Sequence, residues 1–265
     1  MEMNHVRRGT GEPLLLVHGL GGSWRTWEPV LDRLAAEREV VAIDLPGHGE
    51  TPPLPDETSM DTLAEAVTSF LEAQDLTGVD AVGNSMGARL VLELARRDEV
   101  DDTVALAPGG FWKGWERYFF YATIAPSIRL VRALQPARGR LAASAVGRTL
   151  LLAQLSARPW ELPADVVEEE LRTFAESPVF DELAYRLAFG PAQQGTDSTS
   201  GSVVIGWGDE DRLTLPRQAR RARERFPDAR WYWFEDAGHY LHWDAPEEAA
   251  RLILETTGDG SRTGT

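Results

Sequence analysis

The sequence contains no cysteine among its 265 residues, which excludes disulfides, thiolate nucleophiles and cysteine-based metal sites. Basic residues are also few: 27 Lys and Arg stand against 42 Asp and Glu, for a formal net charge of −15. Nucleic acids and anionic membranes bind basic surfaces, so this charge argues against both as partners. We expect a small-molecule substrate instead. The sequence does not indicate an oligomeric state.

No stretch of the sequence approaches 18 uninterrupted apolar residues, so we expect no transmembrane helix. The first eleven residues are polar and lack the apolar core that a signal peptide needs. We therefore expect a cytoplasmic protein. With 43% hydrophobic and 26% charged residues, the chain is long enough for one large domain with a substantial core.

Short apolar runs alternate with longer segments of helical periodicity along most of the chain. This alternation is typical of an α/β fold, in which helices cover both faces of a mostly parallel sheet. The predicted strands are Leu14–Val17, Val40–Ile43, Asp80–Val82, Thr103–Ala107, Val203–Trp207 and Arg230–Phe234. The predicted helices between them are Thr26–Ala36, Met60–Ala73, Met86–Arg97, Pro216–Phe226 and Pro246–Glu255.

The alternation stops between residues 108 and 201, where only helical patterns are found. We interpret residues 108–190 as a helical cap inserted between two strands, followed by a polar linker over residues 191–202. Residues 1–107 and 203–257 then form the core, and residues 258–265 are expected to be a disordered tail. The predicted cap helices are Trp112–Tyr121, Ile128–Leu134, Leu141–Leu155, Ala164–Ala175 and Phe180–Ala188.

The strongest functional signal is Gly83-Asn84-Ser85-Met86-Gly87, which lies between a predicted strand and a predicted helix. In this context the G-x-S-x-G pattern predicts a nucleophilic serine on a sharp strand-to-helix turn. Side chains two positions before and two positions after the serine would collide in such a turn, so glycine is needed there. The helix that follows directs the positive end of its dipole at a developing oxyanion.

A second signal is an apolar strand that runs directly into the glycine-rich loop His18-Gly19-Leu20-Gly21-Gly22. Glycine in such a loop lets a backbone N–H approach a ligand closely. Together with the Asp44–Gly49 turn and the serine motif, this loop resembles the α/β-hydrolase superfamily over about residues 14–255, and only weakly across the cap. The resemblance implies a mostly parallel, doubly wound α/β-hydrolase sheet with an inserted helical cap.

The resemblance also implies an oxyanion hole built from two backbone N–H groups. One belongs to the residue after the nucleophile, here Met86, and the other to the His-Gly loop, here Leu20. A serine at the turn argues against haloalkane dehalogenases and epoxide hydrolases, which carry an aspartate there. No metal and no organic cofactor is implied.

A serine hydroxyl needs a general base, and the sequence offers five histidines. His239 follows the last predicted strand on a loop, where the superfamily places its base, so we expect it to activate Ser85. His18 is expected to hold the oxyanion loop. His48 and His242 are interpreted as structural or surface residues, and His5 lies in the polar N-terminal segment.

Three acidic residues after one predicted strand could orient the base. The superfamily pattern Gly-x-x-Asp selects Asp211 from the sequence Gly208-Asp209-Glu210-Asp211, and Asp209 is the alternative. The earlier strand where some superfamily members carry this acid ends here without a carboxylate. The chain order Ser85, Asp211, His239 is the order expected for this fold. Asp44, in the Pro-Gly-His-Gly region, is interpreted as a turn residue.

The start of the predicted cap is rich in aromatic residues, most of which we expect to pack in a core. Trp112 and Trp115 are candidates for lining a pocket over the serine. These features predict a serine hydrolase that cleaves an ester-type acyl bond of a small, largely apolar substrate through an acyl-enzyme. Carbon–carbon bond hydrolysis, thioester hydrolysis and cofactor-free perhydrolysis on the same triad remain open, as does a non-catalytic small-molecule receptor.

Overall fold

A computed structural model describes residues 2–258, and its central element is a seven-stranded β-sheet. The strands are β1 (His5–Arg8), β2 (Pro13–Val17), β3 (Glu39–Ile43), β4 (Asp80–Asn84), β5 (Thr103–Leu106), β6 (Val203–Gly208) and β7 (Arg230–Phe234). Across the sheet they follow the order β1-β3-β2-β4-β5-β6-β7. The β1–β3 pair is antiparallel and the other described pairs are parallel, so the predicted mostly parallel sheet is confirmed.

Two layers of helices cover the sheet, one on each face. Along β2, Leu15 and Val17 pack into one core cluster while Leu14 and Leu16 pack into the other, because successive side chains of a strand point to opposite faces. The flanking helices are α1 (Glu28–Ala35), α2 (Met60–Ala73), α3 (Met86–Arg96), α9 (Ala219–Arg225), α10 (Leu241–Asp244) and α11 (Pro246–Thr257). Helices α2 and α3 contribute to the first cluster, and α1 and α11 to the second.

Five further helices lie between β5 and β6. They are α4 (Trp115–Ala133), α5 (Arg138–Ala143), α6 (Ala145–Leu152), α7 (Ala164–Glu176) and α8 (Phe180–Phe189). A third core cluster joins these helices to the segment after β7, with Ile128 of α4 and Leu171 of α7 in the same cluster as Tyr240 and Trp243. This insertion therefore packs against the carboxyl edge of the sheet, where the candidate site residues are found.

The structure corrects the sequence interpretation at several elements. Strand β1 was not predicted, and the two helices predicted over 112–121 and 128–134 form the single helix α4, which contains Pro126. The helix predicted over Leu141–Leu155 is instead divided into α5 and α6. The division lies at Ser144, whose extended backbone ends α5 and whose hydroxyl accepts a hydrogen bond from the Gly147 N–H at the start of α6.

Residues 191–202, the predicted linker, contain no helix or strand in the structure. Within residues 2–258, no helix has both the length and the apolar content that crossing a bilayer requires. The predicted disordered tail lies outside the described residues except for Gly258.

Candidate active site

Ser85 occupies the turn between β4 and α3, as the motif predicts. Its backbone adopts φ 57° and ψ −112°, a sparsely populated conformation for a residue with a side chain. The Ser85 N–H donates to the Leu106 carbonyl at 2.9 Å, which ties the turn to the neighbouring strand β5. Such strain costs about 1–3 kcal/mol and persists only where the surrounding structure enforces it.

Close backbone approaches explain the two glycines of the motif. A Cβ atom on Gly83 would lie 2.2 Å from the Gly87 carbonyl oxygen, and one on Gly87 would lie 2.2 Å from the Val17 carbonyl oxygen. The first of these atoms belongs to α3 and the second to β2, so neither can move aside without disturbing its element. A Cβ on Gly19 would lie 3.2 Å from the Ser85 Cβ, so glycine there lets the glycine-rich loop lie against the serine.

His239 and Asp211 are brought together from two loops at the same sheet edge. Asp211 follows β6 and His239 follows β7, and the His239 Nδ1 lies 2.9 Å from the Asp211 Oδ2. Both side chains are buried. The alternative acid, Asp209, is exposed, and its backbone N–H bonds to the Phe234 carbonyl. Asp211, the acid that the superfamily pattern selects, is thus the one that contacts the imidazole.

Thr214 completes the surroundings of the carboxylate. Its hydroxyl donates to the Asp211 Oδ2 at 2.6 Å and lies 3.2 Å from the His239 Nδ1. The backbone N–H groups of Leu213 and Thr214 donate to the Asp211 Oδ1 at 2.8 and 2.9 Å. These bonds fix the carboxylate in position. On the other side of the ring, the buried His239 Nε2 has no hydrogen-bond partner among the described residues.

Three further histidines, His18, His48 and His242, are buried and have structural contacts. The His18 Nδ1–H donates to the Gly19 carbonyl at 2.7 Å, and its Nε2 accepts from the Leu45 N–H at 3.0 Å, so this ring holds the glycine-rich loop as expected. Burial lowers the pKa of His18 to about 4. Burial also lowers the pKa of His48 and of His242 to about 3, so all three rings are neutral at pH 7.

Asp44 also has the structural role that its place in the turn predicts. Its carboxylate accepts hydrogen bonds from the Glu50 N–H at 3.0 Å and from the Trp24 N–H at 2.7 Å. These contacts connect the turn after β3 to the segment that follows the glycine-rich loop.

Ser85 and His239 line one cavity of about 380 Å³ beneath the inserted helices. Leu20 and Met86, the expected oxyanion-hole residues, line the same cavity, and Met86 is the first residue of α3, where an N–H has no acceptor within its own helix. The described residues around the cavity include no Lys, Arg, Asp or Glu. Most of the wall consists of apolar side chains, among them Phe120, Ile124, Ile128, Leu171, Phe174 and Phe180.

The two tryptophans proposed for the pocket differ in position. Trp112 lines the cavity and stacks on Phe120, with ring centroids 4.7 Å apart. Trp115 does not line it, which corrects that expectation. Trp115 lies in the first turn of α4, which starts on the outer surface of the insertion, so its ring is exposed. The Arg217 Cζ lies 4.4 Å from the centroid of this ring.

A larger depression of about 820 Å³ lies at the opposite edge of the sheet. Its wall includes Asp80, Asp101 and Asp102 near the start of β4 and β5, and the described residues that form it include no histidine. In parallel α/β sheets, ligands bind at the carboxyl ends of the strands. The smaller, apolar cavity beside Ser85 is therefore the candidate active site.

The sequence matches a model of the alpha/beta hydrolase family over residues 14–252. The chain belongs to this family. A dihydrolipoyllysine-residue acetyltransferase component of an acetoin cleaving system from Pseudomonas putida is 30% identical over 253 residues. That alignment covers 92% of this alpha/beta hydrolase but only 63% of the relative, so the chain spans less than two thirds of the relative's length.

Solved structures of other hydrolases share the fold. An esterase from Thermogutta terrifontis superposes with a TM-score of 0.74 at 20% identity, covering 96% of this chain and 92% of the esterase. A meta-cleavage product hydrolase from Pseudomonas fluorescens superposes with a TM-score of 0.76 at 20% identity, covering 98% and 95% of the two chains. At this level of identity the likenesses establish the architecture of the alpha/beta hydrolase and leave its reaction open.

Sequence reasoning missed three residues that connect parts of this site. Asn84 is fully buried and donates through its side chain to the His239 carbonyl at 3.1 Å, which joins the serine turn to the histidine loop. Glu170 of α7 is buried and accepts from the Tyr240 hydroxyl at 2.8 Å. Thr214 is the third. Asn84 and Glu170 act through contacts between distant segments, whereas Thr214 bonds to Asp211 three residues before it. Only Asn84 lies within a motif that could have drawn attention to it.

Proposed function

We propose that this alpha/beta hydrolase cleaves an ester-type acyl bond of a small, largely apolar substrate, with Ser85 as nucleophile. The observation that supports the proposal is the paired imidazole. The His239 Nδ1 contacts the Asp211 carboxylate at 2.9 Å, while its Nε2 has no partner among the described residues, and His239 lines the same cavity as Ser85. A neutral imidazole arranged in this way can accept a proton at Nε2.

In the proposed first step, the Ser85 Oγ bonds to the carbonyl carbon of the ester while His239 Nε2 takes the hydroxyl proton. The carbonyl oxygen becomes an oxyanion, which the N–H groups of Leu20 and Met86 stabilise. Each such donor is worth about 10²–10³ in rate. The Asp211 carboxylate accepts the Nδ1–H bond throughout and stabilises the imidazolium.

In the next step, the oxyanion collapses and the bond from the carbonyl carbon to the leaving oxygen breaks. His239 gives its proton to that oxygen, so an alcohol leaves and the acyl group stays on Ser85. A water molecule then attacks the acyl carbon while His239 takes its proton. Return of that proton to the Ser85 Oγ releases the carboxylic acid and restores the site.

The walls of the cavity favour an uncharged substrate. The described lining residues carry no cation that could pair with a substrate carboxylate, and burying an unpaired charge is costly. Carbon–carbon bond hydrolysis of a carboxylated dienone would place such a charge in this cavity. A volume of about 380 Å³ lies at the lower end of the range for small-molecule pockets, which suits a short acyl or ring group.

The test is hydrolysis of p-nitrophenyl esters of increasing acyl length by the wild type and by Ser85→Ala. We expect kcat to fall by roughly 10³-fold or more in Ser85→Ala, and a fluorophosphonate probe to label only the wild type. Ser198→Ala is the matched control because Ser198 is exposed and lies outside the cavity. Full turnover by Ser85→Ala would contradict the proposed nucleophile.

A substrate panel separates the ester proposal from its alternatives. Matched acyl thioesters, a dienone carboxylic acid and perhydrolysis with hydrogen peroxide are assayed beside the esters. Ester hydrolysis should have the largest kcat/KM, and the dienone acid should be turned over poorly because the described cavity wall lacks cations. Tight binding of an ester with neither turnover nor probe labelling would instead identify a receptor.

A further inference from the structure

The inserted helices expose an unusual number of large apolar side chains. Among residues 2–258, eight large hydrophobic side chains are exposed, and seven of them belong to the segment 115–185. The most exposed are Leu150 at 76%, Val146 at 69% and Tyr118 at 63%. A contiguous exposed apolar surface on a folded protein marks a site of interaction.

Helix α4 carries much of this surface on one face. Its exposed residues Trp115, Tyr118, Ala122, Pro126 and Leu130 are spaced by three or four positions, so they lie along one side of the helix. The opposite side is also apolar and buried, with Phe120, Ile128 and Val131. A helix that is apolar on both sides normally has a partner on each. Here the outer side has contacts only near its start, where Arg217 lies over the Trp115 ring and the Tyr118 ring contacts Phe189, and both rings stay exposed.

Helix α6 continues the apolar surface to the cavity. Val146 and Leu150 are four residues apart and both exposed, so they share one side of α6. Leu150 also lines the cavity that holds Ser85, as does the exposed Ser127 of α4. This exposed apolar surface of α4 and α6 therefore reaches the cavity at Leu150. We call it the docking face, defined by Trp115, Tyr118, Leu130, Val146 and Leu150.

The charge of the segment is opposite to that of the whole chain. Residues 113–158 contain a single acidic residue, Glu116, which is buried and paired with Arg217 and Arg221. Arg132, Arg138 and Arg158 pair with acids outside this segment. Arg129 and Arg140 are exposed and form no ion pair with any residue of the described range. The basic residues of the segment are Lys113, Arg117, Arg129, Arg132, Arg138, Arg140, Arg148 and Arg158.

We propose that the docking face binds an anionic phospholipid surface. Exposed Trp and Tyr side chains suit the boundary between headgroups and acyl chains, and aliphatic residues such as Leu130 and Val146 insert below it. The exposed Arg129 and Arg140 attract the lipid phosphates. The expectation that the protein avoids anionic membranes rests on the net charge of −15, which averages over this basic segment. Binding here would bring the cavity mouth to the lipid.

The experiment is flotation of the full chain with vesicles of 30% phosphatidylglycerol in phosphatidylcholine, compared with pure phosphatidylcholine. We expect stronger partitioning to the anionic vesicles and its loss in high salt, because salt screens the attraction. The variant Arg129→Glu/Arg140→Glu should lower the partition coefficient by about tenfold or more. Leu130→Ser/Val146→Ser should also weaken binding, because the inserted apolar area is lost.

Arg33→Glu/Arg251→Glu is the matched control. It changes the net charge by the same amount, on exposed residues of α1 and α11 in the sheet's flanking layer, and should float like the wild type. Ser85→Ala should bind vesicles normally, which keeps this test independent of the proposed hydrolysis. Circular dichroism establishes that each variant is folded.

Two results would overturn the proposal. The first is equal partitioning of the wild type, the arginine variant and the control to anionic vesicles. The second is no vesicle binding at all. If sedimentation then shows a dimer that Leu130→Ser/Val146→Ser dissociates, the occupant of the face is a second copy of the chain.

Discussion

At the scale of single residues, Thr214 is the contact that most directly supports the imidazole–carboxylate pair. Its hydroxyl bonds to the Asp211 Oδ2 at 2.6 Å, in a fully buried position. A hydrogen bond to a charged group contributes about 1.5–3 kcal/mol. Because the bond restrains the carboxylate that orients His239, its loss should act on the chemical step.

We predict that Thr214→Val lowers kcat for a p-nitrophenyl ester by roughly tenfold, with little change in KM, because the carboxylate loses one donor while its two backbone donors remain. Steady-state kinetics at pH 8 measures the effect. Thr214→Ser keeps the hydroxyl and should restore most of the activity. Equal kcat in the valine variant and the wild type would show that the hydroxyl does not position Asp211.

The choice between two acids shows how far single residues were predictable. Asp209 and Asp211 follow the same strand, and the superfamily pattern selected the one that contacts His239. The prediction that Trp115 lines the pocket depends only on its place in an aromatic segment, and such composition does not fix which side of a helix faces inward. Thr214 could not be predicted, since its role arises from a loop that returns its hydroxyl to Asp211.

At the scale of elements, the sequence predicted six of the seven strands because each is a short apolar run, buried at most positions in all but β7. The seventh, β1, has the sequence His-Val-Arg-Arg and is half-buried or exposed at every position, so no apolar pattern marks it. Helix α4 passes through Pro126, which is exposed, so water can bind the carbonyl that the missing N–H leaves free.

The junction of β3, β4 and α11 contains a buried ion pair. Arg38 precedes β3 and contacts the Asp80 carboxylate at 2.7 Å, and it also bonds to the Thr257 hydroxyl at 2.8 Å. Burial, opposed by Arg38, raises the pKa of Asp80. Burying the two charges therefore costs free energy. Removing one member of the pair would leave the other charge buried and uncompensated.

We predict that Asp80→Ala lowers the free energy of unfolding by about 3 kcal/mol, because the Arg38 guanidinium loses its counter-charge in a buried position. Urea denaturation at pH 7.5 measures the loss. The matched control is Asp32→Ala, which removes the partner of Arg8 in an exposed pair and should change stability by less than about 1 kcal/mol. Similar losses in both variants would contradict a special role for the buried pair.

At the scale of the whole molecule, buried histidines couple stability to pH. His18, His48 and His242 are fully or almost fully buried, and burial lowers their pKa values to between about 3 and 4, from 6.5. Between pH 6.5 and the folded pKa values, these histidines are protonated in the unfolded chain but neutral in the folded protein. Stability is therefore fully present above pH 6.5 and falls as the pH is lowered towards the folded pKa values.

We predict that each of these histidines costs about 2 kcal/mol of stability between pH 8 and pH 5. In His242→Gln the loss of stability between pH 8 and pH 5 should be smaller by that amount, because glutamine does not titrate. Its amide can replace the Nε2–H bond to the Thr26 carbonyl. Urea denaturation of both proteins at the two pH values makes the comparison. An unchanged difference between pH 8 and pH 5 would mean that His242 is protonated in the fold.

Glu170 makes stability depend on pH in the opposite direction. This carboxyl group on α7 accepts hydrogen bonds from the Tyr240 hydroxyl at 2.8 Å and the Thr26 hydroxyl at 2.9 Å, so it joins the inserted helices to the loops around Ser85 and His239. Burial raises its pKa to about 7, and the two hydrogen bonds only partly oppose that effect. Between pH 4.5 and 7 the folded protein keeps a proton that the unfolded chain releases, so stability from this group is lost as the pH rises.

Glu170→Gln removes this titration and can keep both contacts, with the amide oxygen accepting from one hydroxyl and the amide NH₂ donating to the oxygen of the other. We predict that the stability of the wild type relative to Glu170→Gln falls by about 2–3 kcal/mol between pH 5 and pH 8, measured by urea denaturation. The histidine contributions cancel in this comparison because both proteins contain the same rings. A relative stability that stays constant with pH would mean that Glu170 is ionised in the folded protein throughout, and that Tyr240 and Thr26 suffice to hold its charge.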